Sequence, residues 1–141
     1  MEFFRILDRV DSTNNYAMAA IHEGMAKHGM AWFAREQQAG KGQRGKQWHS
    51  LPGQNITMSI VLEPPVLFHS RSFLFNAMVA VACHDFFSRY INQDLKIKWP
   101  NDLYVRDRKA GGILIENIYQ GKTWKWAVVG TGININQLEF P

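Results

Sequence analysis

The chain has 141 residues, of which 46% are hydrophobic, which suits a single domain over 1–141 with one buried core and excludes disordered and fibrous proteins. Its formal net charge of +4 leaves nucleotides, nucleic acids and acidic proteins open as partners. Because Cys83 is the single cysteine, no internal disulfide can form. Charged residues interrupt the apolar N-terminus, which excludes a signal peptide, and no apolar run is long enough to cross a bilayer. We therefore expect a cytoplasmic protein.

The chain begins with a predicted strand that leads into a capped helix. Residues 3–7 are apolar enough for a short strand. The segment that follows consists of residue types that cap helix N-termini, namely Asp11, Ser12, Thr13 and Asn14. We expect a helix from this point to about Gly24.

Two further strands enclose a long polar loop. The first strand is predicted at 30–35, and the loop spans 36–53 without helical or strand periodicity. Residues 55–62 alternate cleanly, which predicts a strand with Thr57 and Ser59 on one face. Its other face carries only apolar side chains, those of Ile56, Met58, Ile60 and Leu62.

The second half of the chain predicts one long helix and a group of short strands. Apolar residues recur at helical spacing between Ser70 and Tyr90. Strands are expected at 96–99, 103–105, 112–119 and 124–129, with a hairpin turn at 120–121. Because strands and helices are segregated along the chain, the fold class is α+β.

The loop has a composition suited to binding an anion. Its glycines satisfy the spacing G-x-G-x-x-G at Gly40, Gly42 and Gly45. No helix opens at the third glycine and no Gly-Lys-Ser/Thr triplet is present, so neither a dinucleotide fingerprint nor a P-loop is supported. Glycines nevertheless admit a ligand to backbone N–H groups, and cations that could meet its oxygens are Lys41, Arg44 and Lys46. A solvated basic turn is the alternative, although Trp48 could cover an apolar ligand.

Three more segments combine polar groups with turns or glycines. Residues 98–102 could hold a nucleotide phosphate and its metal, or could form a polar β-turn. Lys109 precedes Gly111 and Gly112 and is either a ligand-facing cation or a surface lysine. The two glycines in 130–134 suit a β-bulge or the close approach of a ligand. The histidines show no zinc-ligand spacing.

Taken together and in this order, five segments resemble motifs in the catalytic domain of biotin protein ligases. They are Asp11-Ser12-Thr13-Asn14, residues 37–45 (Gln-Gln-Ala-Gly-Lys-Gly-Gln-Arg-Gly), Lys98-Trp99-Pro100-Asn101-Asp102, residues 109–114 (Lys-Ala-Gly-Gly-Ile-Leu) and Gly130-Thr131-Gly132-Ile133-Asn134. The resemblance implies a fold related to class II aminoacyl-tRNA synthetases, with a mixed, largely antiparallel sheet flanked by helices.

The resemblance also implies a two-step reaction. Biotin and ATP would give biotinyl-5′-adenylate and pyrophosphate with the help of Mg²⁺. The biotinyl group would then pass to a lysine of a biotin carboxyl carrier domain.

Site residues follow from the resemblance by position. It implies biotin contacts at Ser12, Thr13, Asn14, Gln37, Gly40, Lys41, Gly42, Gln43 and Gly112. It implies ATP or adenylate contacts at Arg44, Trp48, Lys98, Asn101, Asp102, Lys109 and Asn134, with Asp102 also on magnesium. Catalytic roles fall to Lys109, Arg44 and Lys41, and Lys109→Ala is expected to be the most damaging single change.

The chain departs from the family pattern in two respects. Many members have arginine at the position of Gln43, so a cation that would retain the adenylate is replaced here by a neutral amide. Either the neighbouring Arg44 or Lys46 compensates for it, or the intermediate escapes more readily. The family's C-terminal segment and N-terminal DNA-binding extension are not present in the sequence, which favours a truncated catalytic domain and argues against a repressor that binds DNA.

Two alternatives remain, one with a different function and one with a different substrate. The chain could be a biotin-binding fragment with little turnover, or a lipoate or octanoate ligase of the same fold. A homodimer stays open, and the identity of the acceptor protein is not encoded in these motifs.

Overall fold

The computed structural model describes residues 2–49, 51–91 and 94–135. In chain order the elements are β1 (Phe4–Val10), α1 (Thr13–His22), β2 (Ala31–Gln37), a 3₁₀ turn (Gln43–Gly45), β3 (Asn55–Leu62), a second 3₁₀ turn (Val66–Phe68), α2 (Ser72–Ser88), β4 (Leu95–Lys98), β5 (Asp102–Val105), β6 (Arg108–Gln120) and β7 (Thr123–Asn134). Among the described residues, no helix is long and apolar enough to cross a membrane.

The strands form one seven-stranded sheet in the order β1-β2-β3-β7-β6-β5-β4. β1 pairs with β2 in parallel, and the other neighbouring strands pair antiparallel. The helices pack on opposite faces, so the predicted α+β class with a mixed, largely antiparallel sheet is confirmed.

Strand lengths differ from the prediction where pairing extends them beyond their apolar segments. β1 continues to Val10 because Arg9 and Val10 pair with Glu36 and Gln37 of β2. β6 begins at Arg108 rather than Gly112, and β7 continues through its glycines to Asn134. Glycine by itself weakens a strand interior, but β7 is paired with β3 on one side and with β6 on the other, so the ladders continue through its glycines.

Two hydrophobic clusters hold the helices to the sheet. On one face, Ala17 of α1 packs with Trp32 and Val128. On the other, Phe75 and Val79 of α2 pack with the indole of Trp124. Phe75 and Trp124 meet edge to face with ring centroids 5.0 Å apart, a favoured aromatic geometry.

The alternation of β3 is confirmed, and its polar face is the more deeply buried one. Asn55, Thr57 and Ser59 are buried, whereas the apolar side chains of the opposite face are only half-buried. Thr57 satisfies its hydroxyl by donating to the carbonyl of Ala34 at 2.8 Å. The polar face of β3 is therefore an interior surface on the α1 side of the sheet.

The apolar face of β3 borders a groove beside α2. The groove has a volume of about 550 Å³ and is lined almost wholly by apolar side chains, among them Phe33, Ile56, Met58, Met78, Cys83 and Phe86. Burial raises the pKa of the Cys83 thiol to about 11, so this thiol is protonated at neutral pH.

Candidate functional site

A pocket lies on the α1 face of the sheet, between the start of α1, the glycine-rich loop and the glycines of β6 and β7. Its lining includes Ser12, Thr13, Asn14, Gln37, Lys41, Gly42, Gln43, Trp48, Asn101, Asp102, Lys109 and Gly112. The sequence had predicted all of these as site residues. The pocket brings together segments that are far apart along the chain.

The start of α1 supplies the polar end of the pocket. Ser12 is the N-cap, and its side-chain oxygen accepts a hydrogen bond from the backbone N–H of Asn15 at 3.0 Å. The backbone N–H of Thr13 donates to Gln37 Oε1 at 2.7 Å, which fixes the orientation of that amide. Capping therefore places three buried polar residues, 12–14, against the sheet.

A buried hydrogen-bond network fixes the polarity of Thr13. Ser59 Oγ lies 2.7 Å from Thr13 Oγ1 and also bonds to Asn14 Oδ1. A hydroxyl donates one proton and an amide oxygen only accepts, so the Ser59 proton goes to Asn14 and Thr13 must donate to Ser59. Thr13 consequently offers the pocket an acceptor, which selects a ligand group with an N–H or O–H.

Glycines form the floor because other groups occupy the space of their missing side chains. A Cβ on Gly132 would lie 2.4 Å from Trp48 Cε2, and one on Gly130 would lie 2.3 Å from Asn14 Oδ1. Both distances are far below van der Waals contact. The two glycines thus allow the indole and the amide to lie directly on β7.

The part of the loop that covers the pocket is a small hairpin, residues 40–48, which we call the basic hairpin. Its strands are joined by hydrogen bonds from Trp48 N to Gly40 O at 2.9 Å and from Gly42 N to Lys46 O at 2.7 Å. Arg44 lies at the tip in a left-handed conformation with φ 55°. The sequence had predicted a loop without strand character, and these pairs give it a defined shape.

Two lysine–carboxylate pairs flank the pocket. Lys109 Nζ lies 3.1 Å from Asp102 Oδ1 and 5.6 Å from the ring centroid of Trp48. On the opposite side, Lys41 Nζ lies 3.1 Å from Glu116 Oε2. An anionic ligand would therefore meet cations that already have carboxylate partners.

The carboxylate of Asp11 lies beside this second pair. Asn15 Nδ2 donates to Asp11 Oδ2 at 2.8 Å, and mainly for that reason the pKa of Asp11 is held below its ordinary value of 3.8. The backbone N–H of Ser12 and the charge of Lys41 act in the same direction.

Four predicted site residues lie outside the lining of the pocket. Gly40 and Arg44 border a groove on the outer side of the basic hairpin. The ammonium of Lys98 lies 5.3 Å from the ring centroid of Tyr104. Asn134 ends β7, and its Oδ1 and Trp48 Nε1 are buried without a hydrogen-bond partner among the described residues.

Ser59 and Glu116 contact the site and were not predicted from the sequence. The only available signal for Ser59 is its place on the polar face of β3. For Glu116 it is one acidic residue in an apolar strand. Neither pattern identifies a partner, because the partners are contributed by α1 and the basic hairpin.

The role of Asp102 on magnesium stays a prediction. Asp102 Oδ1 is paired with Lys109, and no group of three His, Cys, Asp or Glu side chains suited to a metal occurs among the described residues. Mg²⁺ at nucleotide sites is typically held by one or two carboxylates together with substrate phosphates and waters, so a single carboxylate such as that of Asp102 is compatible with this role.

A glycine floor, a neutral polar end and a lysine at the other end define a pocket for a small molecule that carries both a polar head and an anionic group. The chain belongs to the biotin/lipoate A/B protein ligase family, whose model matches residues 6–134.

Individual relatives agree with this assignment. The chain is 38% identical over 136 residues to the bifunctional ligase/repressor BirA of Escherichia coli, covering 92% of this chain and 40% of that protein. It is 35% identical over 133 residues to the biotin–[acetyl-CoA-carboxylase] ligase of Paracoccus denitrificans, covering 92% of this chain and 53% of that protein. The chain thus spans about half or less of the length of these relatives.

Solved structures share the fold. A biotin protein ligase from Aquifex aeolicus, in complex with biotin and ATP, superposes with a TM-score of 0.81 at 26% identity, covering 100% of this chain and 56% of that one. A Leishmania major biotin protein ligase in complex with biotin gives a TM-score of 0.77 at 25% identity, covering 96% and 57%. The fold implied by the sequence motifs is thereby confirmed.

Proposed function

We propose that this chain provides the pocket in which biotin is activated by ATP and from which the biotinyl group is transferred to a lysine of a carboxyl carrier domain. The observation that carries the proposal is the polarity of the pocket. A set of uncharged donors and acceptors around Thr13 lies at one end, beside the Lys41–Glu116 pair whose charges offset each other, and Lys109 lies at the other.

The neutral end suits the ureido ring of biotin. A cyclic urea has two N–H donors and one carbonyl acceptor and carries no charge. The acceptor presented by Thr13 and the side chains of Ser12 and Gln37 match such a group better than they match an ion. The tail of biotin would then run over the glycine floor toward Lys109.

The first chemical step joins two anions, so its main obstacle is electrostatic. A carboxylate oxygen of biotin attacks the α-phosphorus of ATP, the bond from that phosphorus to the β-bridging oxygen breaks, and pyrophosphate leaves. Lys109 can neutralise charge on the carboxylate and the α-phosphate once its ammonium leaves Asp102 for the ligand. Backbone N–H groups of the basic hairpin add donors that carry no counter-charge.

The second step consumes the mixed anhydride. The ε-amine of the acceptor lysine attacks the biotinyl carbonyl, AMP leaves, and the nitrogen loses a proton to give the amide. The neutral side chain of Gln43 at the hairpin tip weakens retention of the adenylate relative to an arginine, because it offers hydrogen bonds without a positive charge.

The test is to incubate the purified 141-residue chain with biotin, ATP and magnesium and to measure biotinyl-5′-adenylate by mass spectrometry, with lipoate as a parallel substrate. We expect adenylate from biotin and not from lipoate. Adenylate from lipoate alone would contradict the substrate. Biotin binding by calorimetry without any adenylate would identify a binding fragment, and absence of both would overturn the proposal.

Lys109→Ala tests the assignment of the activating cation. We expect the rate of adenylate formation to fall about 100-fold or more, because a positive charge at the reacting atoms is lost. Biotin affinity should change far less, since the ureido contacts lie at the other end of the pocket. Lys122→Ala is the matched control, because Lys122 lies in the exposed turn between β6 and β7, and its rate should stay near that of the unmodified chain.

A further inference from the structure

Lys41 and Lys109 flank the same pocket but differ in what holds them. Lys109 has one carboxylate partner, and its side chain is 43% exposed. Lys41 Nζ donates to two acceptors at once, Glu116 Oε2 at 3.1 Å and Asn15 Oδ1 at 2.8 Å. A ligand carboxylate would have to displace both of these to reach the Lys41 ammonium.

Glu116 is engaged through both of its oxygens. Oε2 accepts from Lys41, and Oε1 accepts from Asn14 Nδ2 at 3.0 Å. Its side chain is 27% exposed and that of Lys41 is 37% exposed, so the pair is partly withdrawn from water. Removing either member would leave the other with an incompletely compensated charge.

These contacts join three elements at one point. Glu116 lies on β6, Asn14 and Asn15 lie in the first turn of α1, and Lys41 lies in one strand of the basic hairpin. The other strand of the hairpin ends at Trp48, whose ring rests on Gly112 and Gly132. The hairpin is therefore attached by an ion pair on one strand and by a ring on the other.

We propose that Glu116 is a positioning residue that latches the basic hairpin over the pocket through Lys41, so that Lys41 acts as the latch and not as a cation for the ligand. This inference rests on the proposed function only for the identity of the ligand. The latch itself is a property of the free chain.

The test compares Glu116→Gln, Lys41→Met and the double variant. Glutamine keeps an oxygen for Asn14 and places an amide against the ammonium, while methionine keeps the stem of Lys41 and removes its charge. The control is Asp94→Asn, which breaks another lysine–carboxylate pair. This pair is the 3.0 Å contact with Lys96, near the edge of the sheet formed by β4.

Two measurements are made on each variant. Limited trypsin digestion reports hairpin opening as the cleavage rate after Arg44 and Lys46, relative to cleavage after Lys122 in the exposed β6–β7 turn of the same molecule. Calorimetry gives the dissociation constant for biotin. Thermal unfolding shows whether each variant stays folded.

We expect both single variants to raise hairpin cleavage and the dissociation constant by about fivefold, the scale of a partly buried ion pair. The double variant should match the singles, because both changes break the same contact. The Asp94→Asn variant should behave like the unmodified chain.

Other outcomes overturn the inference. Hairpin cleavage that is unchanged by Glu116→Gln would show that no latch exists. Further loss of biotin affinity when Lys41→Met is added to Glu116→Gln would show that the ammonium contacts the ligand. If the unmodified chain binds no biotin, the proposed function fails, and the cleavage rates still decide whether Glu116 holds the hairpin.

Discussion

Gly132 lies directly beneath the indole of Trp48, so Gly132→Ala is expected to displace the ring rather than the strand. The new Cβ would lie 2.4 Å from the ring, and the ring belongs to a hairpin that can move, whereas β7 is paired on both sides. We expect biotin affinity to fall about tenfold or more, measured by calorimetry, on the usual cost of overpacking of about 1–3 kcal/mol. Adding Trp48→Ala to the Gly132→Ala variant should relieve the clash and raise its midpoint of thermal unfolding. Equal midpoints for the single and the double variant would contradict the clash with the ring.

Asp11 contributes stability that depends on pH. Its pKa is lower in the folded chain than the ordinary value of 3.8, mainly because Asn15 donates to the carboxylate. The contribution is therefore complete above pH 3.8 or so and is lost as the pH falls through the folded pKa. Asp11→Asn should weaken the fall of the midpoint of thermal unfolding as the pH drops below about 4, measured by circular dichroism.

Asn15→Ala provides the companion to that measurement, because it removes the donor and keeps the carboxylate. Its pH profile should approach that of Asp11→Asn. A profile as steep as that of the unmodified chain would assign the pH dependence to other groups.

The predictability of individual residues depends on how far away their partners are. Ser12, Thr13, Asn14 and Lys109 were found because each belongs to a contiguous motif. Ser59 lies 45 residues from its partner Asn14, and Glu116 lies 75 residues from Lys41. These contacts exist only once β3 and β6 are in register with their neighbours, and a linear pattern does not contain that register.

The N-cap of α1 is both a structural element and one wall of the pocket. Ser12→Ala should destabilise the chain by about 1 kcal/mol, because the N–H of Asn15 loses its acceptor. The thermal midpoint should fall by roughly 3–5 °C. Ser12→Gly should cost only a few tenths of a kcal/mol, since glycine is tolerated at N-caps. Equal losses for the two variants would attribute the effect to packing instead of capping.

The elements themselves were predictable because their periodicity is local. β3 was predicted at 55–62 and occurs at Asn55–Leu62. The face of β3 that is buried was not predictable, because the polar start of α1 covers Ser59 while α2 only partly covers Ile56 and Met58. Burial here follows from which helix packs where and not from side-chain hydrophobicity.

At the scale of the whole molecule, the groove beside α2 exposes an apolar surface in the folded chain. The dye ANS should therefore fluoresce in native conditions. Met78→Gln, which places a polar group in the groove wall, should lower that fluorescence and leave the midpoint of thermal unfolding within about 2 °C, as surface substitutions do. Excess biotin should not displace the dye. Displacement would show that the dye binds in the pocket on the α1 face and not in the groove beside α2.

The family and the fold follow from motifs spread along the chain, but the partners, the cellular location and the oligomeric state do not. Four properties stay predictions: a carrier domain as acceptor, a cytoplasmic location, no binding to DNA, and a homodimer as one possible state. They depend on surfaces and segments outside contiguous motifs such as 37–45 or 109–114, and the chain spans only 40% of the E. coli relative.

The glycine floor lies on β7, the fourth strand of seven, whereas the basic hairpin above it is attached by few contacts. Backbone amides of 130–132 lie between the ladders to β3 and β6, and opening either ladder would split the sheet in two, so their protection should approach that of global unfolding. Amides of 42–47 exchange through local opening of the hairpin. A ligand can therefore enter and leave at the free-energy cost of a local fluctuation, and the binding geometry of the floor persists in molecules whose hairpin is open.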